Sequence, residues 1–276
     1  MMSDAEIPFA RRLAGAFAQN DSLLCIGLDP EPAKLPDHLR HLPPAEAVVA
    51  FNREIIAATV DLVACYKPNL AFYEALGPAG LEALQRTLAL VPPGLLTLGD
   101  AKRGDIGNTM RLYARALYDV YGFHAVTATP YLGRDALEPF LSRRDRGTFI
   151  LCRTSNAGAA EIVDLMVDDR PLYLVVAERV QTWNEHANAG LVVGATYPRE
   201  LAQVRAVCPA LPILLPGIGA QQGALAESVA AGLDQERAGL LVAVARQVLY
   251  ASSDADFATA ARQVAASLRQ QINRVR

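Results

Sequence analysis

The chain has 276 residues, of which 52% are hydrophobic and 20% charged, and its net charge is −3. That balance supports a large buried core and argues against wholesale disorder. A pI near 5.8 offers no basic face for nucleic acid. No apolar run approaches the ~18 residues of a membrane span. The opening segment "MMSDAEIPFARRLAGAF" lacks the basic-then-apolar order of a secretory signal, so a cytoplasmic location is expected.

In chain order, a helix is expected over about residues 6–19, followed by eight short apolar runs with strand character. These are "SLLCIGL" (22–28), "LVACYK" (62–67), "LLTLGD" (95–100), "HAVTA" (124–128), "GTFILC" (147–152), "AGLVVG" (189–194), "PILLP" (212–216) and "GLLVAV" (239–244). They are near-continuous rather than alternating, as strands covered on both faces should be. Helical spacing falls between them, at 44–61, 80–91, 107–122, 133–143, 171–186, 198–208 and 254–271. The stretch 223–235 is weakly patterned and reads as a loop with a short helix. Eight strands alternating with helices predict a parallel sheet closed into a (β/α)8 TIM barrel with an extra N-terminal helix. No linker divides the chain, so residues 1–276 are expected to form one barrel domain. An open doubly wound sheet is the alternative, but "CIGLDPEP" after the first strand lacks the GxGxxG turn.

Barrel chemistry lies at the C-terminal ends of the strands. Of the 26 Lys+Arg residues only three are lysine, namely Lys34, Lys67 and Lys102. Two of these three end strands, Lys67 the second and Lys102 the third. Arginine is effectively never deprotonated, whereas lysine is a compact proton donor. Asp100 and Lys102 stand two apart, so regular strand geometry would point both into the barrel. Gly104 then permits a sharp turn that carries Asp105 back toward a site or across to another chain. With Asp29 at the first strand exit, an alternating set of carboxylates and ammoniums results. Opposite neighbours favour the charged forms, so Lys102 is expected protonated and the aspartates ionised. Arg103 should point away from Lys102. A rim salt-bridge network is the alternative reading of this stretch.

A second cluster follows the seventh and eighth strands, where "PGIGAQQG" precedes Arg246. Gly217 and Gly219 allow close backbone approach to an anion, and Arg246 can fork onto phosphate oxygens. The four cysteines, Cys25, Cys65, Cys152 and Cys208, form no CxxC pair and read as small buried hydrophobes. The four histidines have no ligand spacing, so no metal site is expected.

At this point "DAKRGDIGNT" resembles the D-x-K-x-x-D-I signature of orotidine 5′-phosphate decarboxylases, specifically the longer, second bacterial type. Supporting matches are "CIGLDP", "YKPNLAFYE", "TPYLGRD", "TSNAG", "PGIGAQQG" and "RQVLYAS", in family order along almost the whole chain. The resemblance implies decarboxylation of orotidine 5′-monophosphate to uridine 5′-monophosphate without cofactor or metal. Lys102 would protonate C6, and Asp100 would lie beside the substrate carboxylate. Lys67 and Asp29 would bind the ribose and complete the charged set. Asp105 and Thr109 would come from the partner subunit of a homodimer with shared active sites. Ser155 would meet the pyrimidine edge. Gln221, or else Gln222, would hold the 5′-phosphate together with Arg246. The sequence departs from the family pattern at His124 and Thr129 around the fourth strand, and at Ala245. Two rival readings are a Mg²⁺-dependent phosphosugar lyase or epimerase of the same superfamily and a non-catalytic nucleotide-binding barrel.

Overall fold

The computed structural model describes residues 7–217 and 222–276. Eight parallel strands close into a barrel: β1 (Leu24–Gly27), β2 (Cys65–Lys67), β3 (Leu96–Arg103), β4 (Ala125–Ala128), β5 (Gly147–Arg153), β8 (Ala189–Val193), β9 (Ile213–Pro216) and β10 (Leu240–Val244). Two further short strands, β6 (Met166–Val167) and β7 (Arg170–Pro171), form an antiparallel hairpin outside the barrel. Closure is made by β1, which pairs with β10 on one side and β2 on the other. All eight apolar runs fall on barrel strands, because residues buried on both faces leave no polar alternation.

The helices are α1 (Phe9–Gln19), α2 (Pro44–Thr59), α3 (Leu70–Glu74), α4 (Gly77–Leu88), α5 (Gly107–Ala114), α6 (Arg134–Leu141), α7 (Ala160–Val163), α8 (Leu172–Trp183), α9 (Pro198–Val207), α10 (Gln222–Gly232), α11 (Arg246–Leu249) and α12 (Phe257–Val275). The expected N-terminal helix is α1. Its Phe9 stands edge-on to Phe149 with ring centroids 6.2 Å apart and covers Gly147, the first residue of β5. This helix therefore closes the N-terminal end of the barrel, opposite the mouth. On the outside, Phe51 of α2 stacks on Phe257 of α12 at 4.9 Å and ties the first helix layer to the last. Each such side chain withdrawn from water contributes about 1.5–3 kcal/mol.

Two elements differ from their sequence reading. The helix expected over 107–122 changes at Arg115 into a π-helical stretch that runs to Val120. The weakly patterned 223–235 region is mostly a full helix, α10. It is rich in alanine, which favours helix yet blurs the polar–apolar contrast. Ser228 is buried there and donates to Ala195 O at 2.6 Å, so a hydroxyl occupies a position on the core side. All four cysteines are free and buried, as read from their apolar settings.

Candidate active site

Four sequence-predicted residues converge where β1, β2 and β3 leave the barrel. Lys67, the last residue of β2, donates to Asp100 Oδ2 at 2.8 Å. Lys102 pairs with the other oxygen, Asp100 Oδ1. Asp29, two residues beyond β1, completes the set, and its Oδ1 accepts from the Asn69 amide at 2.8 Å. The side chains differ in exposure, with Lys67 at 8%, Asp100 at 13% and Lys102 at 48%. A shielded pair thus supports an ammonium open to the barrel mouth.

The electrostatics follow from this packing. Burial alone would raise the Asp100 carboxyl, but the Lys67 and Lys102 ammoniums outweigh it and bring it down to about 2. Burial alone would lower Lys67, yet the Asp100 and Asp29 carboxylates hold its ammonium above the ordinary lysine value. Asp29 goes the other way. Its burial raises the carboxyl, and Lys67 and the Asn69 amide offset this only in part. The two aspartates, both expected ionised beside the ammoniums, are thus shifted in opposite directions, Asp100 below the ordinary carboxylate value and Asp29 above it.

The route by which Lys102 reaches Asp100 also differs from simple strand alternation. Lys102 is left-handed, with φ 47°, and the β3–β4 register shifts between Gly99 and Arg103. A left-handed non-glycine residue is costly unless its surroundings enforce it. Here Thr127 of β4 does so, because its Oγ1 accepts from the Lys102 amide at 2.9 Å and donates to Asp100 Oδ1 at 3.1 Å. Thr127 was missed in the sequence. Its signal was a hydroxyl set in the apolar run "HAVTA", on the strand beside Asp100. At Gly104, expected to permit a turn, there is also a steric demand. A Cβ there would lie 2.1 Å from Thr129 Cγ2, so what this position needs is space.

Arg103 stays out of the array, as expected, although the backbone here is not regularly alternating. It pairs with Glu74 and lies over the Tyr113 ring at 5.3 Å. Asp105 Oδ1 accepts from the Ile106 amide at 2.7 Å. Among the described residues no hydrogen bond or ion pair links Asp105 to the Lys–Asp set, and Thr109 is exposed on α5. His124 precedes β4 and its Nδ1 accepts from the Thr97 amide at 3.0 Å, which puts it at the strand entrances, away from the mouth.

Across the mouth, Ser155 follows β5 and Gly217 follows β9. A Cβ on Gly217 would come within 3.3 Å of Ser155 Oγ, so these two predicted residues adjoin. Gly217 has φ +92°, a backbone that favours glycine. Arg246 is exposed at the start of α11 and makes no ion pair among the described residues. The preceding Ala245 packs on Gly27, where a Cβ would lie 2.7 Å from Ala245 Cβ, so smallness is what this position requires. Gly219 and Gln221 lie outside the described residues, and Gln222 begins α10. Among the described residues no group of three or more His, Cys, Asp or Glu gathers as a metal site, and no helix is long and apolar enough to cross a membrane.

A closed parallel barrel with a lysine–carboxylate set at its C-terminal mouth has the architecture of a barrel enzyme that handles an anionic substrate. Residues 22–263 match the model of the orotidine 5′-phosphate decarboxylase / HUMPS family. An orotidine 5′-phosphate decarboxylase of Thermomicrobium roseum is 55% identical, covering 97% of this chain and 96% of that protein. One of Roseiflexus castenholzii is 52% identical, covering 96% of this chain and 97% of that protein. The solved structure of Leishmania donovani OMP decarboxylase superposes with a TM-score of 0.86 at 39% identity, covering 98% of both chains. The chain belongs to the orotidine 5′-phosphate decarboxylase family.

Proposed function

We propose that this chain decarboxylates orotidine 5′-monophosphate to uridine 5′-monophosphate in pyrimidine nucleotide synthesis, with Lys102 delivering the proton to C6. The observation that carries the reading is the bridging of one ionised carboxylate, Asp100, by two ammoniums of which only Lys102 is open to the mouth. As the bond from C6 to the carboxylate breaks, its electron pair stays on C6. The Lys102 proton then goes to that carbon, and the half-exposed amine regains a proton from solvent. Asp100 serves twice in this scheme: it repels the departing carboxylate and holds Lys102 in place. Lys67 keeps Asp100 ionised and, with Asp29, faces the ribose.

Ser155 reads the pyrimidine edge beside Gly217. Gly217, Gly219, Gln221 and Arg246 hold the 5′-phosphate, and binding energy gained there is used to assemble the reacting centre. Asp105 and Thr109 act in the partner site of a homodimer. Support for this comes from Asp105, which has no cationic partner within its own chain among the described residues. The whole chain works as one cytoplasmic barrel domain.

The test is ultraviolet monitoring of orotidylate consumption by purified protein in EDTA. Undiminished turnover is expected. Loss of turnover on chelation, restored by Mg²⁺, would replace this reading with a metal-dependent one.

A further inference from the structure

Arg153 is a buried cation that the scheme above does not use. The last residue of β5, it is only 3% exposed, so almost none of its side chain is open to the mouth. A buried charge contributes little to stability in itself and calls for a reason. Its guanidinium is held on three sides. Nε lies 3.0 Å from Asp164 Oδ1 as a charge contact without hydrogen-bond alignment, and the hydrogen bond to this carboxylate runs from Nη2 to Oδ2 at 3.2 Å. The guanidinium carbon sits 4.0 Å over the Tyr197 ring, close enough for cation–π attraction. Nη1 donates to Thr154 O at 2.7 Å. That carbonyl belongs to the peptide whose nitrogen is the Ser155 amide. The Arg153 backbone contributes as well, because its carbonyl accepts from the Gly194 amide at 2.8 Å. Gly194 in turn is the floor on which Ser155 rests, since a Cβ there would lie 2.8 Å from Ser155 Cβ.

The geometry points to Arg153 as a positioning residue for base recognition: clamped by Asp164 and Tyr197, it fixes the Thr154–Ser155 peptide so that Ser155 faces the pyrimidine. The inference rests on the reading of Ser155 as the residue that meets the base. Lysine could not replace arginine here, because one flat cation must stack on a ring, pair with a carboxylate and donate to a carbonyl at once. Asp164 comes from the segment just after α7 and Tyr197 from the β8 exit, so the clamp ties three loops of the mouth together.

The test compares two ligands by calorimetric titration. Uridine 5′-monophosphate carries the base, whereas ribose 5-phosphate lacks it. Arg153→Met is expected to weaken uridylate about tenfold, the effect of one lost hydrogen bond, and to leave ribose 5-phosphate within about twofold. Tyr197→Leu carries the same test if Arg153→Met does not fold, and Tyr197→Phe should retain wild-type affinity for both ligands. Ser155→Ala is the reference and should show the same base-selective loss. If Ser155→Ala is selective while the Arg153 and Tyr197 variants leave both affinities unchanged, or weaken both equally, the positioning role is wrong. If Ser155→Ala shows no selectivity, the reading of Ser155 fails, and the inference fails with it.

Discussion

The Lys67 ammonium lies 2.8 Å from Asp100 Oδ2 in a shielded corner of the barrel, and the opposite oxygen of the same carboxylate is taken by Lys102. One carboxylate thus links a buried cation to an open one. Lys67 fixes the charge of Asp100, and Asp100 fixes the place of Lys102.

This relationship has a pH signature. Asp100 is held at about 2, below its ordinary value of 3.8. A depressed carboxyl contributes stability that is present above the unfolded value and lost as pH falls through the folded one. The contribution is about 2 kcal/mol, disappearing between about pH 4 and pH 2. Urea midpoints of wild type and Asp100→Asn, compared over that interval, should converge toward the acid end. A constant gap would show that Asp100 does not titrate as described. Asp29 is shifted upward instead, so Asp29→Asn should cost less stability than Asp100→Asn at neutral pH.

Gly104 and Thr129 should be coupled. A methyl group added at residue 104 meets Thr129 Cγ2 at 2.1 Å. Gly104→Ala is expected to destabilise by about 1–3 kcal/mol through overpacking. Thr129→Ser removes the obstructing methyl group and should recover most of that loss in the double variant. Additive losses in denaturant titrations would mean that the two residues do not meet.

Much of this architecture is legible in the sequence. The strands stood out because burial on both faces makes them continuous apolar runs, and the scarcity of lysine singled out Lys67 and Lys102. Three features stayed hidden for physical reasons. The left-handed backbone of Lys102 is imposed by Thr127 from the next strand, and no local pattern records it. The alanine-rich α10 has too little polar–apolar contrast to show its full length as a helix. Arg153 looked like one more arginine in an arginine-rich chain, and only its burial against Asp164 and Tyr197 separates it from the surface cations.

Arg246 stands exposed at the start of α11, and the proposed function gives it the 5′-phosphate. Arg246→Ala should raise KM for orotidylate by about 10–100-fold, the loss of a charge-assisted bond or two. Turnover of the phosphate-free nucleoside orotidine, which never uses that contact, should be unchanged. Equal losses on both substrates in steady-state kinetics would remove Arg246 from the phosphate site.

The shared-site reading predicts complementation between inactive variants. Lys102→Ala and Asp105→Ala proteins, mixed and allowed to exchange subunits, should regain part of the wild-type activity. In the hybrid, one of the two sites has both residues intact. Absence of rescue after mass spectrometry confirms the hybrid would place Asp105 in its own subunit's site.

The central claim is that Lys102 supplies the proton, and the most direct measurement is the turnover of Lys102→Ala alongside its affinity for uridine 5′-monophosphate. Removing a general acid is expected to lower kcat by at least about 10²–10⁴-fold. Uridylate binding should stay measurable, because the proposed phosphate and base contacts are made by other residues. Turnover near the wild-type rate would contradict the account.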